Sequence, residues 1–205
     1  MVQAGSRATW TGGLLLAFCL FAAAQTPQPA ASALNESGQV VVDGGSVPFR
    51  IRRLPVNAFP DLPEDIAGQL NQRQCLIPQT YAAHHPENVV HASLERAGSS
   101  DWAVLCSTQG TVSLLVFFGS SPASPNVLST AMETERLQRH DSTGVLGFNW
   151  AIDPASPEVV HQAQSGMERK PPRLDHDALA DSAIEHRTVY HFYGKHQWTR
   201  VDTED

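Results

Sequence analysis

The sequence predicts an α+β fold in which a mainly antiparallel sheet carries two short helices and ends in a C-terminal β-hairpin. Short apolar runs separated by tight turns occupy the middle of the chain, as is typical of antiparallel strands. Helix start signals occur near residues 62 and 157, and the elements do not alternate in the strand–helix–strand order of a parallel sheet. No proline-rich break divides residues 39–205, so we expect a single globular domain there.

The composition is that of a folded, acidic protein. The chain has 205 residues, of which 41% are hydrophobic, and 14 Lys and Arg against 21 Asp and Glu give a net charge of −7. This apolar fraction is sufficient for a hydrophobic core. Nucleic-acid binders and polybasic membrane-surface proteins need clustered Lys and Arg. The acidic balance argues against both classes, so no nucleic-acid partner is expected.

The N-terminus has the three parts of a secretory signal peptide over residues 1–24. Arg7 supplies the positive region, residues 14–21 the apolar region and residues 22–24 a small-residue cleavage site. The apolar run is far shorter than the roughly 20 residues of a membrane-spanning helix. A lipoprotein modified at Cys19 is a further alternative, which the bulky residue before this cysteine disfavours. We expect export to the periplasm or the extracellular space, without a membrane span after cleavage.

The chain after the cleavage site is expected to open with a leader and a β-hairpin. Residues 25–38 are rich in Pro, Ala and Ser and have no apolar period, which is typical of a flexible segment. Residues 39–43 and 47–53 are rich in strand-forming residues and flank an Asp-Gly-Gly sequence at residues 43–45. Because Asp-Gly favours tight hairpin turns, this region predicts two paired strands.

The first helix is predicted over about residues 62–73. Pro63 suits the opening turn of a helix, where its missing N–H is not needed. Ile66 and Leu70 are one turn apart and share a face that can be buried. The acidic residues that follow Pro63 complement the positive end of the helix dipole, so they are not interpreted as catalytic.

The second helix is predicted over about residues 157–166. Ser156 is a favourable N-cap, because its hydroxyl can accept a bond from a free backbone N–H of the first turn. Pro157 follows at the first helical position, and Glu158 lies in the first turn. These three residues make the start of this helix the clearest local signal in the chain.

The central strands are predicted at residues 88–94, 101–107 and 111–118, with short turns between them that indicate an antiparallel meander. The second and third runs are almost continuously apolar, as is typical of strands buried on both faces. Residues 120–126 are expected to form a Pro- and Ser-rich loop. A further strand is expected over residues 145–152.

The C-terminal part is predicted to close with a hairpin. Residues 184–193 and 196–201 form its strands, and the turn lies at residues 194–195. Before the hairpin, Asp177 is expected to cap a helical turn over residues 178–180.

Two cysteines remain after removal of the signal peptide. Cys75 and Cys106 form an even pair in an oxidising compartment, which predicts one disulfide. Such a bond closes a loop of roughly 30 residues and contributes about 3 kcal/mol in the chain-entropy model. The alternative is a pair of buried free thiols that act as small apolar side chains.

Histidines and aspartates near the C-terminus suggest a metal site as an alternative function. The candidate ligands are His176, Asp177, His191 and His196, since imidazole and carboxylate together suit zinc or non-haem iron. His191 and His196 flank the hairpin turn, so they can pair across its strands. The chain lacks the H-E-x-x-H and C-x-x-C patterns and glycine loops that cradle phosphates. We therefore expect no cofactor, with hydrogen-bonded histidines as the simpler interpretation.

Aromatic residues of the last hairpin are candidates for a binding surface. Tyr190, Phe192 and Trp198 carry this prediction, because Tyr and Trp are favoured at interfaces. Tyr190 and Phe192 share one strand face, whereas His191 and Tyr193 share the other. The alternative is cross-strand packing that stabilises a terminal hairpin.

Residues 94–106 resemble the loop–strand unit of FG-GAP/VCBS-type repeats. Gly98, Asp101, Ala103 and Val104 match that pattern. The positions of the family's calcium-binding side chains are Ser93, Glu95 and Ala97 here, and there is one unit rather than an array. The resemblance therefore implies neither a propeller nor calcium binding.

A broader resemblance covers most of the chain after residue 24. Residues 59–63, 75–81, 101–106 and 171–181, followed by an aromatic hairpin, are similar to segments of uncharacterised exported bacterial proteins. The resemblance implies an exported bacterial domain and supplies no catalytic residue.

These observations lead to two functional hypotheses. The first is an exported, non-enzymatic domain that binds a protein or a cell-envelope component, because the sequence has no coherent catalytic constellation. The second is a metal-dependent hydrolase that uses the C-terminal histidines and aspartates, which requires those side chains to converge.

Overall fold

The computed structural model of the chain describes residues 33–119, 121–140, 142–166 and 173–204. The predicted signal peptide and residues 25–32 of the predicted leader lie outside these ranges. In the described part, strands dominate and two short α-helices are present, which agrees with an α+β fold.

The described residues form thirteen strands, two α-helices and three short 3₁₀ helices. The strands are β1 (Leu34–Val42), β2 (Gly45–Pro55), β3 (Leu76–Gln79), β4 (Val89–Ala92), β5 (Asp101–Thr108), β6 (Thr111–Phe118), β7 (Ser121–Met132), β8 (Leu137–Arg139), β9 (Leu146–Phe148), β10 (Ala151–Ala155), β11 (Ala178–Ala183), β12 (Arg187–Gly194) and β13 (Gln197–Glu204). The α-helices are α1 (Glu64–Gln72) and α2 (Pro157–Ala163), and the 3₁₀ helices are Val56–Ala58, Glu133–Arg136 and Gln164–Gly166.

The strands form two sheets. Sheet A has the order β7-β6-β5-β3-β2-β9-β8, with β1 paired to β2 and β4 paired to β5. Sheet B has the order β10-β11-β12-β13 and is antiparallel throughout. In sheet A, β2 and β9 pair in parallel and the other pairs are antiparallel. "Mainly antiparallel" therefore describes the molecule, with one parallel pair that the sequence did not predict.

The two sheets and two helices lie in four layers with three apolar cores. The largest core lies between the sheets and includes Leu105 and Leu114 from sheet A and Leu179 from sheet B. A second core lies between the opposite face of sheet A and α1. A third lies between the opposite face of sheet B and α2, around Phe192 and Val160. Strands β5 and β6 are nearly fully buried because sheet A is covered on both faces.

The first hairpin confirms the predicted turn and corrects the predicted leader. Asp43 and Gly44 have φ of 51° and 79°, the left-handed values that a two-residue hairpin turn of type I′ requires. The pairing then continues from Val42–Gly45 to Leu34–Arg53. Residues 34–38, predicted as flexible leader, therefore belong to β1, because the partner strand is long enough to extend the ladder over them.

Both predicted helices are present. In α1, Ile66 and Leu70 are buried against sheet A, and Arg73 is the C-cap residue. In α2, the Ser156 hydroxyl accepts a hydrogen bond from the N–H of Val159, and Pro157 is the first helical residue. The local capping signals placed the start of α2 correctly.

The central meander of β4, β5 and β6 agrees with the prediction, whereas the loop predicted after it is wrong. Residues 121–126 belong to the long strand β7, which pairs with β6. This strand lies at the edge of sheet A, where proline is tolerated because one side of the backbone needs no ladder partner. Pro122 and Pro125 are therefore compatible with this edge strand, although their turn propensity led to the prediction of a loop.

Two further predictions around the second sheet are wrong. Residues 145–152 do not form one strand, because the chain leaves sheet A after β9 and enters sheet B at β10. Trp150 lies at this crossing and is completely buried between the sheets. Asp177 does not cap a helical turn: residues 178–183 form β11, and Asp177 exchanges hydrogen bonds with the Ser93 backbone through its N–H (3.0 Å) and carboxylate (3.1 Å).

The C-terminal hairpin is present with its turn displaced by one residue. Gly194 ends β12, and the turn residues are Lys195 and His196, with φ of 51° and 63°. The sulfurs of Cys75 and Cys106 lie at disulfide distance, with Cα atoms 5.2 Å apart. Within the described ranges, no helix is both long and apolar enough to cross a membrane.

Candidate functional site

A cleft of about 370 Å³ opens where edge strand β7 meets the inner face of sheet B. We call it the arginine cleft; its charged walls are Arg136, Arg187 and Arg200, and its apolar walls include Val127, Val189 and Trp198. Near Tyr193 and Trp198 the inner face of sheet B packs on Phe118 of sheet A. Beyond these aromatics the inner face of β12 and β13 carries Arg187, His191 and Arg200, so this part of the face forms the wall of a cleft rather than core.

Strand alternation places the polar residues of sheet B on this wall. Arg187, Val189 and His191 are two residues apart on β12, so they point to the same face as Tyr193. Across the ladder, His191 pairs with Arg200 on β13, which brings the second arginine alongside. The two strands therefore supply two of the three arginines by register alone.

Arg136 comes from the 3₁₀ helix Glu133–Arg136, which follows β7. Its guanidinium lies 4.0 Å from the centre of the Trp150 ring, a cation–π contact. Within the described ranges it forms no ion pair with a carboxylate. Arg136 is therefore held in place by an aromatic ring and keeps its positive charge for another partner.

Arg187 and Arg200 share one carboxylate. The Arg187 Nη2 and Arg200 Nη2 atoms lie 2.5 and 2.9 Å from Asp202 Oδ1. Burial raises the pKa of the Asp202 carboxyl. The hydrogen bonds and positive charges of Arg187 and Arg200 outweigh this effect, so the pKa of Asp202 lies below its ordinary value. Two guanidinium groups against one carboxylate leave an excess of positive charge on this wall.

A buried network around Asp181 forms the floor of the cleft. The Asp181 carboxylate accepts from Trp150 Nε1 (2.6 Å) and is bonded to His191 Nε2 (3.0 Å), and Ser129 Oγ lies 3.5 Å away. Asp181 and His191 are 7% and 6% exposed. Because these partners come from β7, β12 and the β9–β10 crossing, the network fastens both sheets together at the cleft.

This network contains the residue types of a hydrolase triad but lacks its connectivity. In a nucleophilic triad the serine hydroxyl bonds to the imidazole that takes its proton. Here Ser129 Oγ is within reach of Asp181, and His191 Nε2 bonds to the same carboxylate. The geometry therefore suits a rigid binding wall better than nucleophilic catalysis.

The predicted aromatic binding residues are divided between two faces. Phe192 is 4% exposed and packs in the core under α2, with Tyr190 half-buried against the same core. The side chains of both residues pack in the core between sheet B and α2, which leaves little of them on an open surface. Trp198 lies on the other face and lines the arginine cleft. Its Nε1 is buried and has no hydrogen-bond acceptor among the residues that the structure describes.

The predicted metal ligands are not brought together. His176 is bonded through Nε2 to the Tyr193 carbonyl (2.9 Å) and through Nδ1 to Asp175 (2.8 Å), which lowers the pKa of that carboxyl. Asp177 binds the Ser93 backbone, His191 binds Asp181, and His196 is an exposed turn residue. Over the described ranges, no three His, Cys, Asp or Glu side chains are grouped to hold a metal ion. The pairing of His191 with His196 is wrong, because Arg200 lies opposite His191.

A second, acidic depression of about 550 Å³ lies at the opposite edge of the two sheets, between β4 and β10. Its walls include His85, Glu87 and Asp153. Burial, and then the charge of Glu87, raise the pKa of Asp153. The acidic depression and the arginine cleft therefore carry charges of opposite sign.

The loop that resembles FG-GAP/VCBS units is held by a carboxylate of the chain itself. Asp101 is completely buried and accepts from the N–H groups of Leu94 (2.8 Å), Glu95 (2.7 Å) and Gly119 (2.8 Å). The Ser99 hydroxyl also donates to it. The acidic residue that matches the repeat pattern thus closes the loop between β4 and β5.

The sequence prediction missed the arginines of the cleft. The alternation of Arg187, Val189 and His191 on the face of Tyr193 was a signal that this face is not wholly core. Arg136 had no such signal, because it lies in a short 3₁₀ helix far from the hairpin in sequence.

Comparisons of the chain with protein-family models, with curated proteins and with solved structures gave no match.

Proposed function

We propose that this chain is an exported, non-enzymatic binding domain, and that the arginine cleft holds a carboxylate of a protein or cell-envelope ligand. The observation that carries the proposal is the convergence of Arg136, Arg187 and Arg200 on one cleft of an acidic chain. Guanidinium groups bind carboxylates through paired, charge-assisted hydrogen bonds. Three guanidinium groups beside only two carboxylates, Asp181 and Asp202, are therefore a site for an anion.

The charge of the cleft supports a monoanionic group. The walls hold three guanidinium groups, and Asp181 and Asp202 are the carboxylates among and beside them. With histidine counted as neutral, one positive charge remains. A single carboxylate neutralises that charge.

The apolar walls support an organic ligand rather than a small inorganic ion. Val127, Val189 and Trp198 line the same cleft as the arginines. Binding sites typically combine apolar walls with a few placed polar groups that fix the orientation of the ligand.

The test uses N-acetyl-glutamate amide as probe and N-acetyl-glutamine amide as its uncharged match. Binding is followed by NMR shifts of cleft residues and by tryptophan fluorescence. We expect the acid to bind more tightly, and Arg136→Gln to weaken it about tenfold through loss of one charged hydrogen bond. The control is Arg96→Gln, since Arg96 is 71% exposed on the loop between β4 and β5. Equal binding of the two probes, or an equal effect of both variants, would contradict the proposal.

A further inference from the structure

We infer that the ligand is an acidic peptide that adds as an extended strand to the free edge of β7 and places a carboxylate side chain in the arginine cleft. This inference rests on the proposed function and adds the class of ligand and its binding mode. Strand addition to an exposed sheet edge is a common way to bind peptides.

The first argument is the hydrogen-bonding direction of β7. Glu133 N donates to Gly110 O (2.9 Å), and Thr130 pairs with Ser113 three ladder positions further on. Hydrogen-bonded and non-hydrogen-bonded pairs alternate in an antiparallel ladder, so Thr130 occupies a non-hydrogen-bonded pair. Its N–H and C=O therefore point away from β6. In the described part of sheet A, no strand pairs with that side of β7.

The second argument is that part of this edge lacks protection. Proteins usually guard a free edge with proline, charge, a β-bulge or a very short strand. In β7 a bulge lies at Leu128, and the strand pairs regularly with β6 from Ser129 to Met132. Pro122 and Pro125 guard the first half of β7, and Glu135 accepts from the N–H of Met132 at its end (3.1 Å). Residues 126–131 between them contain neither proline nor charge. Val127 in this part is 58% exposed.

The third argument is the continuity of this edge with the arginine cleft. Val127, Leu128 and Ser129, at the bulge of β7, line the cleft and lead directly to Thr130. Side chains of a strand alternate between the two faces of its sheet. Every second side chain of an added strand would thus face the cleft, where the positive charge selects Asp or Glu.

Charge complementarity also favours a peptide over a second copy of this chain. A dimer formed by pairing two β7 edges would bring together two uncharged strands, because residues 121–132 contain no Asp or Glu. Such pairing would bring no further carboxylate to neutralise the excess positive charge of the arginine cleft. Edge strand β13, in contrast, carries Arg200 and Asp202 and is guarded by charge.

The experiment measures binding of the peptide acetyl-Thr-Val-Glu-Val-Thr-amide to the full exported chain. One matched peptide carries Gln in place of Glu. Two others carry N-methyl groups on every second backbone amide, because successive N–H groups of a strand point alternately toward β7 and away from it. We expect the Gln peptide to bind at least tenfold more weakly. N-methylation of the set that faces β7 should weaken binding as much, whereas N-methylation of the other set should have little effect.

Variants of Thr130 test the same contact from the protein side. Thr130→Pro removes the outward N–H and is compatible with an edge strand, and Thr130→Ala keeps that N–H as the control. We expect only the proline variant to lose peptide affinity, while both still bind N-acetyl-glutamate amide. Circular dichroism checks that both variants fold.

The outcomes separate the two proposals. Binding of N-acetyl-glutamate amide through Arg136, without an effect of N-methylation or of Thr130→Pro, overturns the strand inference and leaves the proposed function standing. Absence of binding by both probes overturns both proposals. A chain that sedimentation shows to dimerise, with the dimer lost in Thr130→Pro, overturns the peptide in favour of a second copy.

Discussion

Two buried carboxylates, Glu133 and Asp181, hold distant parts of the chain together, yet their surroundings differ. Glu133 is 3% exposed, accepts from Arg53 Nε (2.7 Å) and Ser107 Oγ (2.6 Å), and faces a guanidinium that also meets Glu36 (2.7 Å). Asp181 is 7% exposed and has indole, imidazole and hydroxyl partners instead of a guanidinium. In the first network, which we call the closed network, each buried charge has an adjacent counter-charge. The second network lies beside arginines with excess positive charge.

One short element connects these two regions. The 3₁₀ helix Glu133–Arg136 begins with the carboxylate of the closed network and ends with the guanidinium that overlies Trp150 in the cleft. The hydrogen bond to Glu133 is the main factor that raises the pKa of Arg53, against the opposing effect of burial. A buried charge is therefore structural when its counter-charge is adjacent, whereas unmatched charge indicates a binding site.

Breaking the closed network should have the largest effect. Glu133→Ala leaves the Arg53 guanidinium buried without its main partner, and we expect a loss of about 3–5 kcal/mol in the free energy of unfolding. Urea denaturation measures it. The double variant Arg53→Met/Glu133→Leu removes both charges and should recover most of this loss. If Glu133→Ala is as stable as the parent chain, Glu36 alone neutralises Arg53 and the expected role of Glu133 is wrong.

Removing the disulfide should cause the second-largest loss in the free energy of unfolding. Its Cys106 is adjacent in sequence to Ser107 of the closed network. Cys75→Ser with Cys106→Ser should reduce the free energy of unfolding by about 3 kcal/mol. Binding of N-acetyl-glutamate amide should be unchanged, since the disulfide lies in the core between sheet A and α1. A loss of binding at temperatures where the variant is folded would mean that the two regions are coupled.

Asp181→Asn tests the open network. The amide keeps the shape of the side chain but offers the indole and imidazole donors one acceptor oxygen, and we expect destabilisation by about 1–2 kcal/mol. The same change removes a negative charge beside the arginines, so affinity for N-acetyl-glutamate amide should rise. Calorimetry gives both quantities on one sample. Weaker binding in a folded variant would assign Asp181 a direct role in holding the ligand.

Asp202→Asn should have the smallest effect on stability. Its partners are half-exposed arginines, so the loss should be about 0.5 kcal/mol or less. Because the pKa of Asp202 is lowered in the folded chain, this contribution is fully present above the unfolded pKa of about 3.9 and is lost as the pH falls from there through the lower folded pKa. Denaturation at pH 6 and pH 3 measures it. A difference that is as large at pH 3 as at pH 6 would contradict the ion-pair origin.

Asp202→Asn also tests whether the arginine cleft is the binding site. Asp202 competes for Arg187 and Arg200, so Asp202→Asn should bind N-acetyl-glutamate amide about two- to fivefold more tightly at neutral pH. The control is Asp153→Asn in the acidic depression, which should leave this affinity unchanged.

Local chemistry explains what the sequence predicted correctly. The Asp43-Gly44 turn, the Ser156-Pro157 start of α2 and the apolar runs of β5 and β6 depend on backbone conformations and neighbours a few residues apart. Such preferences act in any surroundings. The predictions failed where the tertiary position reversed a local preference: Pro122 and Pro125 are tolerated because β7 is an edge, and Ala178 continues as strand because β10 and β12 flank it.

Spacing along the chain was enough to predict most of the helices and strands, the first hairpin turn and the pair of cysteines available for a disulfide. Strand alternation also predicted which residues of β12 share a face. Three features depend on tertiary packing: Arg136 joins Arg187 and Arg200, Asp181 binds His191, and β7 is a free edge in the described part of sheet A. These contacts depend on how two sheets pack, and residues far apart in sequence meet only once both sheets have buried their shared core.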